Sequence, residues 1–321
     1  MGNLKVLFVI DKVELRYFSF NRLVTNFWLI KESLERGCET YITTLEKLGL
    51  RENEPCAEVW KTKIRKEKND INIVYDNKVL LKDLTQFNLV FFRPDPPVDI
   101  DYINATYILD YLDNTETVVI NRPSGIRKAN EKLYINNFKD FVPANITTSS
   151  SALIKEFLHK HKEIIIKPLN KCFGKGVFYL KSGDKNFNSI VETATNYGTS
   201  VVMVQEFLKS PENADKRIIL LGGKPLEQAL LKISGEGDFK FTTHSDEYLK
   251  EAILTEKEKE MCSAIAPKLI EDGLYTAGLD VLNEKIIEIN ITSPCFFINE
   301  INTLFGIELE KTVWDYFESL V

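Results

Sequence analysis

The stretch GLDVLNEKIIEINITSP, from Gly278 to Pro294, carries two carboxylates and an amide at a spacing that suits a metal ion. With Asn283 to Lys285 as the loop of a hairpin, Asp280 lies opposite Glu288, and the period of two puts Asn290 on the same face. Two facing carboxylates repel, and a neighbouring amide oxygen supplies no proton to relieve them. A hard divalent cation does. Mg²⁺ takes a few protein oxygens and fills its other positions with water and substrate phosphates. The solvated outer face of an edge hairpin has the same pattern, and periodicity alone does not separate the two. A second stretch, KPLNKCFGKGVFYL, sets Lys167 at the end of the apolar run EIII and follows it with Gly174-Lys175-Gly176. It is neither G-x-x-x-x-G-K-[ST] nor G-x-G-x-x-G, so neither a Walker loop nor a dinucleotide fingerprint applies. Backbone amides at such glycines can approach a phosphate closely, and an ordinary hairpin turn looks the same.

The elements that must hold these residues are those of an α/β protein. In the first third, LKVLFVI, ETYITTL, NLVFFR and ETVVINRP alternate with helical patterns near residues 21–35 and 102–112, the signature of a parallel sheet. Between them, VWKTKIRKEKNDINIVYDNKVLLKDL reads as amphipathic strands with Asp76-Asn77 at a turn, its charge run an exposed face. After Arg122-Pro123 the order becomes helix, strand, glycine loop, strand, helix, ending before SVVMVQEFL. The last third holds a hairpin turning at Gly222-Gly223, a polar loop, a helix over 256–271, and a second hairpin followed by a C-terminal helix. We expect an N-terminal domain over 1–122, a small lid over 123–200 and a C-terminal α+β domain over 201–321, in keeping with a chain of 321 residues.

Composition narrows the function. The chain is 44% hydrophobic and 27% charged, with a net charge of -6 and no basic block, which argues against nucleic acid and anionic membranes and for small-molecule substrates. LKVLFVI is too short for a membrane span and lacks a cleavage site. Five cysteines, odd in number and without a C-x-x-C pair, point to a reducing cytoplasm, and the three histidines have no metal-ligand spacing.

Taken in order, RPDPPVD (93–99), ATYIL (105–109), NRPSGIRKANEKL (121–133), KPL (167–169), QEFL (205–208), DKR (215–217) and the GLD…EIN.TSP segment (278–294) resemble the ATP-grasp ligases, more closely the prokaryotic glutathione synthetases. The resemblance implies the ATP-grasp fold. It implies that Lys132 and Lys167, with the Gly174 and Gly176 turn, grip the ATP phosphates. Gln205, Glu206, Phe207 and Leu208 would line adenine, and Asp215 would take the ribose hydroxyls. Asp280, Glu288 and Asn290 would hold Mg²⁺, with Mn²⁺ as a substitute. Arg217 and Lys240 would serve the transferring groups, and Arg93, Lys232, Thr292 and Ser293 the substrates. The implied reaction phosphorylates a γ-glutamylcysteine-like carboxylate with ATP, after which the amine of glycine displaces phosphate. Positioning and charge neutralisation suffice, so Cys172 and Cys295 can be bystanders. A dimer or tetramer is implied by analogy.

Two departures stand out. Lys171, Cys172 and Phe173 occupy the part of the loop where the family carries further glycines. In the polar loop after Leu231, two expected arginines are Lys232 and Lys240, and an expected asparagine is Thr242. Lysine keeps the charge but not the planar fork that clamps a carboxylate with two bonds. A divergent glutathione synthetase, an ATP-grasp ligase for another carboxylate and amine, and a nucleotide-binding homologue without catalysis all fit this pattern.

Overall fold

The computed structural model describes residues 4–17, 22–67, 70–113, 115–172, 174–210, 214–234, 248–294 and 297–321. Lys240 and Thr242, from the polar loop after Leu231, and Phe173 and Cys295 lie outside them. Three sheets carry the fold.

The first sheet begins with β1 (Lys5–Ile10), followed by helices α1 (Lys12–Tyr17) and α2 (Thr25–Glu35). Then come β2 (Glu39–Thr44), β3 (Leu48–Arg51), the long β4 (Glu54–Glu67), β5 (Asp70–Tyr75), β6 (Leu80–Asp83) and β7 (Leu89–Phe92). Helix α3 (Ile100–Asp110) and β8 (Val118–Ile120) complete it. β1, β2, β7 and β8 are parallel neighbours, as four apolar runs separated by helices require. The segment from 60 to 85 forms strands on either side of Asp76-Asn77, as expected, but the two strands that flank it do not pair with each other. β5 and β6 both pair antiparallel with β4, end to end, and Asp76-Asn77 merely links them. The reason is length: β4 has 14 residues and offers room for two short partners.

After α4 (Pro123–Lys128), the second sheet is formed by β9 (Asn145–Thr148), β10 (Glu163–Pro168), β11 (Phe178–Lys181) and β12 (Val202–Glu206), in the order β11-β10-β12-β9, with α5 (Ser151–His161) and α6 (Phe187–Ala194) on one face. Sequence order grouped the strand over 202–206 with the last third. It belongs instead to this sheet, where it pairs with β10 and β9. The strand pleat then sorts the side chains. Ile164, Ile166, Val202 and Val204 point into a core shared with Phe157 and Val191, so Lys167 and Gln205, at odd positions, point to the opposite face.

The third sheet contains β13 (Ala214–Leu221), β14 (Lys224–Pro225), β15 (Ala229–Ile233), β16 (Leu249–Ala252), β17 (Thr276–Leu282) and β18 (Lys285–Asn290). Helix α7 (Glu256–Glu271) starts at a capping box in which Thr255 and Glu258 satisfy one another's backbone amides. Helices α8 (Ile298–Phe305) and α9 (Leu309–Glu318) close the chain. They join the first and third sheets: Phe8, Phe91, Ile219, Leu230, Ile298 and Trp314 lie in one buried cluster, and the Trp314 indole donates to the Leu29 carbonyl at 2.7 Å. No described helix is long and apolar enough to cross a membrane.

Candidate functional site between the second and third sheets

The β17–β18 hairpin turns at Asn283-Glu284, whose φ values of 50° and 59° are those of a two-residue turn. The expected loop, Asn283 to Lys285, is one residue longer. The predicted pairing of Asp280 with Glu288 nonetheless holds, because the register slips between Asp280 and Val281 and leaves Ile287 as a bulge. The bulge restores the residue that the tighter turn removed. It also frees the Ile287 carbonyl, which accepts from Lys167 Nζ at 3.3 Å and Gln205 Nε2 at 3.4 Å. The second sheet is thus tied to the third at the carbonyl next to Glu288.

Around this hairpin the charged groups converge. Asp280 accepts from Arg217 Nε at 2.6 Å and Nη2 at 3.0 Å, from Lys232 Nζ at 2.8 Å and from Asn290 Nδ2 at 3.2 Å. Lys232 also pairs with Asp215 Oδ2 at 2.9 Å, directly across the β13–β15 ladder. Glu288 pairs with Lys132 at 3.1 Å, and Lys132 donates to the Lys171 carbonyl at 2.8 Å. Lys132, Lys167, Asp215, Lys232 and Asp280 are all buried.

Burial and neighbours set their charge states. Burial favours the neutral form of Lys167 and lowers its pKa, whereas for Lys132 burial is outweighed by the carboxylates of Glu288 and Glu131. Asp215 is pushed up to about 7 by burial, with the charge of Asp280 adding to the rise and Lys232 opposing it. Asp280 goes the other way: burial is overcome by Arg217 and Lys232, and its carboxyl is held well below the usual range.

The donor set fits a hard divalent cation. It consists of two carboxylates and one amide, all oxygen ligands, with no cluster of three or more His, Cys, Asp or Glu among the described residues. Their charge is met here by lysine and arginine, and Asn290 turns its NH₂ group to Asp280, so a cation would have to exchange with these donors. Asp215 Oδ1 and Ser293 Oγ are buried without a partner among the described residues, so each has hydrogen-bonding capacity that the fold leaves unused.

The glycine loop forms two successive turns, Lys175 N to the Cys172 carbonyl at 3.2 Å and Val177 N to the Gly174 carbonyl at 3.3 Å. Gly174 and Gly176 have φ of 66° and 72°, so both glycines are used for left-handed backbone. Cys172 donates its thiol to the Pro96 carbonyl at 3.4 Å and so ties the loop to the segment that follows β7. Burial pushes that thiol up to about 11. Of the expected adenine segment, the backbone amides of Glu206 and Phe207 are used by the Ala144 and Glu163 carbonyls, Phe207 stacks edge-on against Tyr179, and Leu208 is half-buried.

Arg93 sits farther back, donating to Asn26 Oδ1 and the Pro294 carbonyl, both at 2.9 Å. Thr292 donates its hydroxyl to Glu131 Oε1 at 2.8 Å. Glu131, Thr292, Pro96 and Leu169 line a cavity of about 110 Å³. Sequence reasoning gave no role to Glu131, Asn130 or Ile287. Asn130 accepts from the amides of Lys132 and Leu133 and donates to the Leu169 carbonyl, fixing the turn that presents Lys132 beside the end of β10. The N-E-K-L motif was the signal for the first two. Nothing in the sequence marked the bulge.

The comparisons with known proteins cover the same residues. The prokaryotic glutathione synthetase N-terminal domain matches residues 4–127, and the prokaryotic glutathione synthetase ATP-grasp domain matches 131–306. A glutathione synthetase of Gloeobacter violaceus is 34% identical over 318 residues, 98% of this chain and 96% of that protein. One of a Synechocystis species is 41% identical over 230 residues, 72% of this chain and 71% of its own length. Among solved structures, the ATP-grasp ligase PsnB with precursor, Mg and ADP aligns over 100% of both chains with a TM-score of 0.63 at 15% identity. D-cycloserine synthetase DcsG aligns over 96% of this chain and 99% of its own with a TM-score of 0.62, also at 15% identity. The chain belongs to the prokaryotic glutathione synthetase family and has its ATP-grasp fold, that of ATP- and divalent-metal-dependent ligases forming C–N bonds.

Proposed function

We propose that this protein joins γ-glutamylcysteine to glycine with the breakdown of ATP to ADP and phosphate. The observation that carries this reading is the convergence of Lys132, Lys167, Arg217, Asp280, Glu288 and Asn290 on one hairpin face, in a chain matched along most of its length by glutathione synthetases. Lys132, Lys167 and the amides of the Gly174–Gly176 turn hold the nucleotide phosphates. The Gln205–Leu208 segment lines adenine, and the unpartnered Oδ1 of Asp215 takes a ribose hydroxyl. Asp280, Glu288 and Asn290, once its amide oxygen is turned inward, would hold Mg²⁺, or Mn²⁺ in its place; bound there, the ion supplies charge neutralisation for the phosphates.

In this reading the substrate carboxylate attacks the terminal phosphoryl group, and the glycine amine then attacks the resulting acyl phosphate and expels phosphate. Arg217 lies where negative charge grows during both steps. Lys240, on the acceptor loop, serves the same charge. Arg93, Thr292 and Ser293 border the peptide end. We place the lid over 123–200 together with β12, the first domain before it and the C-terminal domain after it. A reducing cytoplasm and a dimer or tetramer complete the proposal.

Phosphate release with ATP, Mg²⁺, γ-glutamylcysteine and glycine, run beside a panel of other carboxylates and amino acids, tests this. Glycine-dependent release supports it. Turnover only with another pair assigns the chain to a different ligation, and nucleotide binding without release under any pair marks a homologue that has lost catalysis.

A further inference from the structure

The hydrogen-bond capacity of Asp280 is already filled. Oδ1 accepts from Arg217 Nε and Lys232 Nζ, and Oδ2 accepts from Arg217 Nη2 and Asn290 Nδ2. A carboxylate with two donors on each oxygen cannot ligate a cation until at least one donor leaves. Arg217 lies on the strand next to Asp280, in direct register with it, and phosphates can draw it away. Lys232 is different. It is buried, it comes from the far side of β13, and its ammonium bridges Asp280 and Asp215 at 2.8 and 2.9 Å. Asp215 has a second, buried oxygen with no partner among the described residues.

We infer that Lys232 is a two-position latch between Asp280 and Asp215: shared between them it keeps the cation ligand closed, and drawn wholly onto Asp215 it opens Asp280 to the divalent ion. Lys232 is thereby a positioning residue that couples two subsites, since what engages Asp215 decides how readily Lys232 can leave Asp280. The inference rests on the assignment of Asp280, Glu288 and Asn290 to the cation. The family pattern carries arginine at this position. A lysine places one compact ammonium between two carboxylates, and shifting it by one hydrogen bond moves the whole charge.

The test is a double-mutant cycle on the full chain, read by the electron paramagnetic resonance signal of free Mn²⁺, with Mn²⁺ alone and with Mn²⁺ plus a non-hydrolysable ATP analogue. Folding of each variant is checked by its thermal melt. Without nucleotide, Lys232→Met should bind Mn²⁺ about tenfold tighter than the parent, because Asp280 loses a competitor. Asp215→Asn should bind it roughly fivefold more weakly, since Lys232 then has only Asp280 to rest on. The decisive arm is Asp215→Asn in the Lys232→Met background. A latch makes the Asp215 effect vanish there, to less than about twofold. A mere change of local field makes the two effects add, and additivity overturns the proposal, as does unchanged Mn²⁺ affinity in Lys232→Met. Where Lys232→Met does not fold, Lys232→Gln takes its place in the cycle, and Asp215→Asn alone binding Mn²⁺ as tightly as the parent overturns the latch. Absence of Mn²⁺ binding in the parent, even with nucleotide, instead removes the metal assignment beneath it, an outcome distinct from a latch that fails while the metal binds.

Discussion

The residues proposed to hold the cation are few, and their environment makes single changes informative. Asp280→Asn and Glu288→Gln keep shape and remove charge. Each should lower kcat by about 10²-fold or more, and near-parental rates at saturating Mg²⁺ would exclude the residue as a metal ligand. Outside this hairpin, Glu14 makes the stability of the fold depend on pH. The Glu14 carboxyl accepts from Asn26 Nδ2 at 3.0 and 3.1 Å and is pushed up to about 8, mainly by burial and further by Asp95 and Asp11. A carboxyl raised on folding binds a proton that the unfolded chain has lost, so stability falls as pH rises from about 4.5 to about 8. Glu14→Gln should flatten that decline by on the order of 4 kcal/mol between pH 5 and pH 9. Urea unfolding at the two pH values measures it, and an unchanged difference would mean the carboxyl ionises freely in the fold.

At the scale of elements, two joints position the site. One is the β17–β18 bulge, whose freed carbonyl receives Lys167 and Gln205 from the second sheet. The other is the packing of α4 against the end of α7. A Cβ at Gly125 would lie 1.9 Å from the Asp272 carbonyl oxygen, while Asp272 itself accepts from Lys128, Tyr134 and Lys268. Backbone cannot step aside as a flexible side chain does, so Gly125→Ala should cost about 2 kcal/mol or more. A denaturation midpoint equal to the parent's would show that α4 can slide. Strand and helix types were legible in the sequence because their periods are local: α7 occupies 256–271, the range expected for it. The bulge was not legible. It arises because a two-residue turn at Asn283-Glu284 and the pairing of Asp280 with Glu288 can coexist only with one residue left over.

Across the whole molecule, the second sheet has its own core, while the first and third share one through α8 and α9. A nucleotide held between the second and third sheets should therefore stabilise the chain and protect those sheets from hydrogen exchange. At a concentration of 100 times Kd the gain is about 2.7 kcal/mol. Exchange should slow at β10, β12, β17 and β18 and stay unchanged at β5 and β6, which pair with β4 and, among the described residues, with no other strand. Protection spread evenly over all three sheets would place the ligand elsewhere. The family, the α/β class and the pairing of Asp280 with Glu288 were readable in the residues alone, because motif identity and a period of two are properties of neighbouring residues. The place of β12 in the second sheet, the sharing of one partner strand by β5 and β6, and the position of Lys232 between Asp215 and Asp280 emerge with the folded chain. Each of these is a choice among distant partners, settled by which faces must be buried together and by where a buried charge finds its opposite.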